Sequence, residues 1–293
     1  MRSTGEAFNS SLVLSHNKGG QADQICLSCL VKHLLSAEGL PYNLSAVQQR
    51  MVSLMIRYII AELSIELRCT GQTLLKQAEP YRTDAFDLVD MTIQIVEQRL
   101  NKTKETNSHL SLNDCDYILT GCDFYRMLLD FNGFGLHSSA VVLNHQAVLF
   151  SAPCGTGKST HTNLWQQYFG ADKAVILNDD KPALRFIEDT FYVYGTPWSG
   201  KSDLNLNLKV PLQAIVFLEQ AAENHIRRLT NKEALKLLIY QSLRPNIDQD
   251  KMIKLLTLLD HLLNKIPVYQ MGCTVSIDAV KLAYHTINKG TKG

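Results

Sequence analysis

Hydrophobic spacing divides the chain into stretches of different texture. Residues 22 to 38 and 45 to 57 carry apolar positions at helical intervals, interrupted by Gly39, Leu40 and Pro41. Residues 1 to 20 are polar and rich in Gly, Ser and Asn, which predicts a disordered start. From Tyr58 the period shortens. Glu62 to Leu67 alternates like a half-buried strand, Gly71 marks a turn, and a second strand is predicted around Thr73 to Lys76. Asp87 to Gln98, rich in β-branched residues, reads as strand or helix, Asn101 to Asn107 as a polar loop, and Cys122 to Leu129 as a helix. Phe131 to Gly135 is a turn leading to His137. These patterns predict a helical extension over 1–57, partly disordered, and an N-terminal α+β layer with antiparallel strands over 58–130. Met51 and Met55 stand just before the first convincing strand, so residues 1 to 50 read as a dispensable extension.

Residues 131–293 carry a stronger signal. Ala147 to Phe150 is a short apolar run that ends in a small loop closing on Gly157, Lys158 and Ser159, and an amphipathic segment follows from Thr160. Its apolar positions are Leu164, Trp165, Tyr168 and Phe169. A strand, a glycine loop and a helix N-terminus make a phosphate cradle, because loop amides and the positive end of the helix dipole point at an anion. Cys154, Gly155, Thr156, Gly157, Lys158, Ser159 and Thr160 are therefore candidate nucleotide-binding residues, with Lys158 supplying a full charge and Ser159 the hydroxyl for a magnesium ion. The usual pattern G-x-x-x-x-G-K-[ST] wants glycine at 152, where this chain has Ala152. A tight glycine turn with a surface lysine is the competing reading of the loop alone.

Downstream, Ala174 to Leu177 reads as a buried strand and leads into Asn178, Asp179, Asp180, Lys181 and Pro182. Adjacent carboxylates at a strand end suit a magnesium–nucleotide site, one for the metal and one for the proton of an attacking hydroxyl. An Asp-rich turn before proline is the plainer alternative. Phe191 to Tyr194 predicts another strand, feeding the polar loop Gly195 to Asp203. There Lys201 could reach a γ-phosphate, and Trp198 is either a core anchor or a stacking platform. Ala214 to Leu218 is expected to close the sheet, and Lys232 to Leu243, Lys251 to Lys265 and Ile277 to Asn288 are expected helices. Arg244 either leans into the site or caps the helix before it.

Composition narrows the setting. A net charge of +1 gives no reason to expect nucleic acid or an anionic membrane as partner, and no apolar run is long enough to span a bilayer. The start of the chain lacks the charged-then-apolar build of a signal peptide. Seven scattered cysteines argue against a disulfide framework and for a cytoplasmic, reducing setting, in which the N-x-[ST] sites at Asn9, Asn43 and Asn101 carry no sugar. Cys26, Cys29 and His33 could share a helical face and bind a metal, but they lack the usual fourth ligand; buried helix cysteines are the alternative.

His137, the loop and the Asp179–Asp180 pair together resemble the catalytic domain of HPr kinase/phosphorylase, a bacterial protein-serine kinase. That family places a histidine 21 residues before its loop lysine, the separation of His137 from Lys158 here. The loop is equally similar to that of ATP-dependent phosphoenolpyruvate carboxykinase, and the longer motif set resembles bacterial HPr-kinase-like proteins, some of which accompany peptide-modification systems. The resemblance covers roughly residues 58 to 290. It implies an α/β fold: a mixed-sheet P-loop kinase core of this type, with a smaller N-terminal layer and C-terminal helices. It also implies ATP and Mg2+ as cofactors, and γ-phosphate transfer to a hydroxyl on a peptide or protein serine or on a small metabolite. Carried over by position, Asp179 would be the base, Asp180 and Ser159 would serve the metal, and His137 would tune the pair; Lys201 and Arg244 stand beside these as further catalytic candidates read from the residues alone. Relatives of this kind often assemble, so a homo-oligomer is open. Thr160 stands where the family has an acidic residue, and the family's arginine-bearing C-terminal signature has no match, which argues against HPr itself as substrate. A nucleotide-sensing module without turnover and a phosphorylase running the reaction in reverse are the alternatives.

Overall fold

The structure, a computed structural model, describes residues 55–68, 71–85, 88–244 and 247–290. Cys26, Cys29 and His33, the expected helices over 22–38 and most of 45–57, and the N-terminal extension lie outside the described residues.

Strands β1 (Ile56–Ile60) and β2 (Leu63–Arg68) form a hairpin across Ala61 and Glu62, both with positive φ, as a two-residue turn with right-handed strand twist requires. The predicted second strand at Thr73 to Lys76 is instead helix α1 (Gln72–Ala78). Its buried residues Leu74, Gln77 and Ala78 fall at helical spacing, and Gly71 N–H is anchored to Asp116 at 2.9 Å. Strand β3 (Met91–Gln94) then pairs parallel to β2, so this sheet is mixed rather than antiparallel. The polar loop expected at 101–107 is helix α2 (Glu97–Thr106), which buries no residue and so carries no apolar period to read. It leans on α3 (Leu112–Leu128), started by a capping box of Ser111 and Asp114. The helix predicted at Cys122 is the end of this longer one.

The second sheet has nine strands. In chain order these are β4 (Gly133–Gly135), β5 (Ser138–Leu143), β6 (Gln146–Ser151), β7 (Val175–Asn178), β8 (Ala183–Ile187), β9 (Thr190–Tyr194), β10 (Lys209–Gln220), β11 (His225–Arg228) and β12 (Val268–Cys273). Helix α4 (Lys158–Phe169) follows β6, and α5 (Asn231–Gln241), α6 (Gln249–Lys265) and α7 (Ile277–Gly290) complete the chain. The spatial order β4-β8-β9-β10-β6-β5-β7 is extended by β12 on β10 and β11 on β12. Strand β10 bridges the layers. Its first residues pair antiparallel with β9, and its later ones run parallel between β6 and β12. Ala214 to Leu218 therefore does not close the sheet. Those five residues are all buried, as a strand covered on both faces demands.

Among the described residues no helix is long and apolar enough to cross a membrane. Trp198 is a core residue: it is 1% exposed, stacks on Phe124 at 4.7 Å between ring centroids, and directs its indole N–H toward Thr120. Ala152 is buried beside Phe150 and Trp165, and its φ is not positive. The position uses a methyl group and has no need of glycine.

Candidate functional site

The glycine loop leaves β6 and enters α4 with Gly157 as the helix N-cap. Gly155 and Gly157 hold φ of 80° and 110°, which L side chains rarely adopt, and nothing lies within 4 Å of where a Cβ would stand on either. The loop is thus an open cradle with helix amides at its base. Lys158 folds back over it, its ammonium donating to the carbonyls of Ala152 at 3.0 Å and Pro153 at 3.4 Å. Burial lowers the Lys158 pKa from its usual value, while Asp180, Cys154 and Asp179 work against that. A buried ammonium held only by neutral carbonyls is suited to exchange them for an anion.

Across a cleft of about 730 Å³ stand the two aspartates. Asn178 builds their turn. Its side-chain carbonyl accepts from the amides of Asp180 (3.1 Å) and Lys181 (2.8 Å), and its amide group donates to Thr196 at 2.9 Å. Asp179 is 7% exposed and accepts from the Ser139 hydroxyl at 2.6 Å; that hydroxyl lies 3.1 Å from Thr162 on α4. Thr162 stands one turn on from Ser159 in α4, so Asp179 is tied through Ser139 to the helix turn that carries the loop serine. Asp180 faces the other way. Its carboxylate lies 3.3 Å from His137 Nε2 and pairs with the Lys181 ammonium. Burial pushes this carboxyl upward, but His137 and Lys181 outweigh it and hold it at about 2. The far nitrogen of His137, Nδ1, is 3.0 Å from the Gln241 side-chain carbonyl and donates to it, which turns Nε2 toward Asp180, where it donates to the carboxylate when the ring carries both protons.

His137, Cys154, Gly155, Gly157, Lys158, Ser159, Thr160, Asp179, Asp180 and Lys201 all line this one cleft. Thr156 turns to a neighbouring pocket. Arg244 is not brought in. It lines a separate apolar pocket of about 270 Å³ with Tyr117, Cys122 and Trp198, and its Nε is buried with no hydrogen-bond partner among the described residues. A further pocket of about 580 Å³ shares Asp180, Gly200 and Lys201 with the cleft, so Asp180 stands where the two meet. Sequence reasoning missed Ser139, Thr162, Lys181 and Gln241. Two adjacent serines in the otherwise apolar strand β5 were the available signal for Ser139.

No protein-family model matches the chain, and no curated protein matches it by sequence. Solved structures are similar in part, among them the Hpr(Ser) kinase/phosphatase from Coxiella burnetii. It aligns with 54% of this chain and 98% of that one, at 10% identity and a TM-score of 0.32. A likeness this slight carries no argument about the site, whose case rests on its own geometry.

Magnesium is commonly held by one or two carboxylates together with substrate phosphates. Ser159, exposed in the cleft, and the Asp179 and Asp180 carboxylates fit that donor set, and the open loop with its carbonyl-bound lysine fits a polyphosphate.

Proposed function

We propose that this protein is an ATP- and Mg2+-dependent phosphotransferase that moves the γ-phosphate to a hydroxyl, on a serine of a peptide or protein or on a small metabolite. One observation carries the reading: a single cleft gathers the open glycine loop, its lysine, two strand-end aspartates and a histidine. Phosphoryl transfer asks little covalent chemistry of a protein and much positioning and charge stabilisation. Lys158 and the loop amides would hold phosphate oxygens, with Lys201 adding charge from the opposite wall. Ser159 and Asp179 would hold the metal, whose positive charge would offset that of the phosphates.

We divide the roles of the aspartates differently from what the resemblance implies. Asp179, linked through Ser139 and Thr162 to the turn of Ser159, would serve the metal side. Asp180, at the junction of the cleft with the 580 Å³ pocket, would serve the acceptor. A carboxylate held at about 2 is a weak base alone. It lies 3.3 Å from His137 Nε2, however, and the imidazole would receive the acceptor's proton through it. The test is transfer of label from γ-labelled ATP to serine peptides and free serine, with wild type and a variant carrying alanine at Lys158, Asp179 and Asp180. Wild-type transfer lost in the variant supports the reading; transfer that survives there sinks it.

A further inference from the structure

The glycine loop borders a second cavity. A pocket of about 410 Å³ shares Gly155, Gly157 and Thr160 with the cleft, and it is walled by Gln220 and Ala221 at the end of β10 and Cys273 to Val275 at the end of β12. Strands β6, β10 and β12 run parallel, so the pocket lies at the carboxyl ends of three neighbouring parallel strands, where open α/β sheets bind ligands. Its volume is within the range of small-molecule sites, roughly 300–1,000 Å³.

Its chemistry differs from that of the cleft. The cleft is lined by Lys158, Lys201, Asp179 and Asp180, whereas no Asp, Glu, Lys or Arg lines this pocket. Instead it offers apolar surface from Leu164 and from Val275, which is 78% exposed, together with the Gln220 amide, which makes no hydrogen bond among the described residues. His161 also lines it. This histidine is only 3% exposed, and its Nε2 accepts from the Trp165 indole N–H at 3.2 Å. In the neutral ring the proton must then sit on Nδ1, and that N–H has no protein partner among the described residues. That nitrogen is not among the buried polar atoms left without a partner, so it opens into the pocket, where a bound acceptor would take its hydrogen bond.

We propose that this pocket holds the nucleoside half of the nucleotide, with the His161 N–H donating to base or ribose and Leu164 and Val275 packing on the base. The phosphates then cross the loop into the charged cleft, with their terminal end toward Asp180. This inference rests on the phosphotransferase reading above. An extended nucleotide has one charged end and one neutral, flat, polar-edged end, and the two cavities that meet at the loop divide the same way.

The test is calorimetric titration of the full chain, in the presence of Mg2+, with ATP and separately with inorganic tripolyphosphate. Q220A and V275S alter exposed residues and H161F removes the imidazole donor. Wild type is expected to bind ATP at least about tenfold more tightly than tripolyphosphate. Q220A and V275S should weaken ATP severalfold and H161F about tenfold, with tripolyphosphate unchanged in each. Equal affinities of wild type for the two ligands, or variants that weaken both alike or neither, would overturn the nucleoside pocket and leave the phosphate cradle standing. Failure of wild type to bind either ligand would remove the cradle, and this inference with it.

Discussion

His161 makes the fold sensitive to mild acid, and the size of the effect follows from its surroundings. The ring packs edge-on against Phe150, 4.6 Å between centroids, beneath the Trp165 indole. Burial pushes its pKa from the ordinary 6.5 down to about 4. The unfolded chain takes up a proton as pH drops below 6.5 while the folded chain resists until about 4, so stability falls through that window and the loss levels off beneath it. At about 1.4 kcal/mol per pH unit the full loss is about 3 kcal/mol, of which about 2 kcal/mol is gone between about pH 7.5 and about pH 5. His161→Phe removes the titration. It also leaves the Trp165 N–H unpaired at a cost of about 1–3 kcal/mol, but that cost is the same at both pH values. Urea unfolding followed by the fluorescence of Trp165 and Trp198, both buried, gives the stability of each protein at each pH. Other titrating groups cancel in the comparison. Wild type should lose about 2 kcal/mol more than the variant on acidification; equal losses would refute the buried neutral histidine.

Ser139→Ala removes the hydroxyl that serves the buried Asp179 carboxylate, so urea unfolding should show a stability loss of about 2 kcal/mol, and label transfer should fall with it. Lys158→Ala should weaken tripolyphosphate binding by about tenfold to a hundredfold, read by calorimetry, because each charge-assisted bond to phosphate contributes about 1.5–3 kcal/mol. Gln241→Ala frees the ring that Gln241 orients toward Asp180. Its turnover should drop with little change in the KM for ATP and with an altered pH profile, and Gln241→Glu, which restores an acceptor, should recover part of it. Asp180 holds its carboxyl at about 2 against the ordinary 3.8, so its stabilising pair persists above 3.8 and is lost as pH falls toward 2. Asp180→Asn should therefore flatten the acid end of the wild-type stability curve, measured by urea unfolding, by about 2 kcal/mol.

What the sequence revealed was chemistry concentrated at strand ends. The loop after β6 and the aspartates after β7 each sit within a few residues of a short apolar run, so strand, turn and functional group could be read together. Elements whose identity depends on distant partners stayed hidden. Strand β12 is six residues pressed between two helices, and its pairings, parallel with β10 and antiparallel with β11, both some forty to fifty positions earlier, make it a strand. Helix α1 was misread because seven residues hold too few turns to set period 3.6 against period 2. In the site, the spacing between His137 and Lys158 was visible, whereas Gln241, 104 residues from the histidine it orients, was not. Arg244 lies only three residues beyond Gln241 but lines, with Ser242 and Leu243, a pocket separate from the cleft, which nothing local could announce.

The two aspartates show how one turn makes two environments from neighbouring, chemically identical residues. Asn178 caps the turn by accepting both following amides, and the chain reverses so sharply that consecutive side chains leave in different directions. Asp179 enters the sheet, where a hydroxyl from β5 meets it and a hydroxyl from α4 braces that one. Asp180 emerges between an imidazole and an ammonium. Exchanging the two roles would require rebuilding β5 and α4 as well as the turn, because each carboxylate's behaviour is set by groups from other elements. Asp179→Asn and Asp180→Asn should therefore fail in different ways. The first should disturb the serine side of the cleft and magnesium dependence; the second should disturb the pH profile and the acceptor. If the two variants gave superimposable magnesium and pH dependences, the division of labour drawn from their surroundings would be wrong.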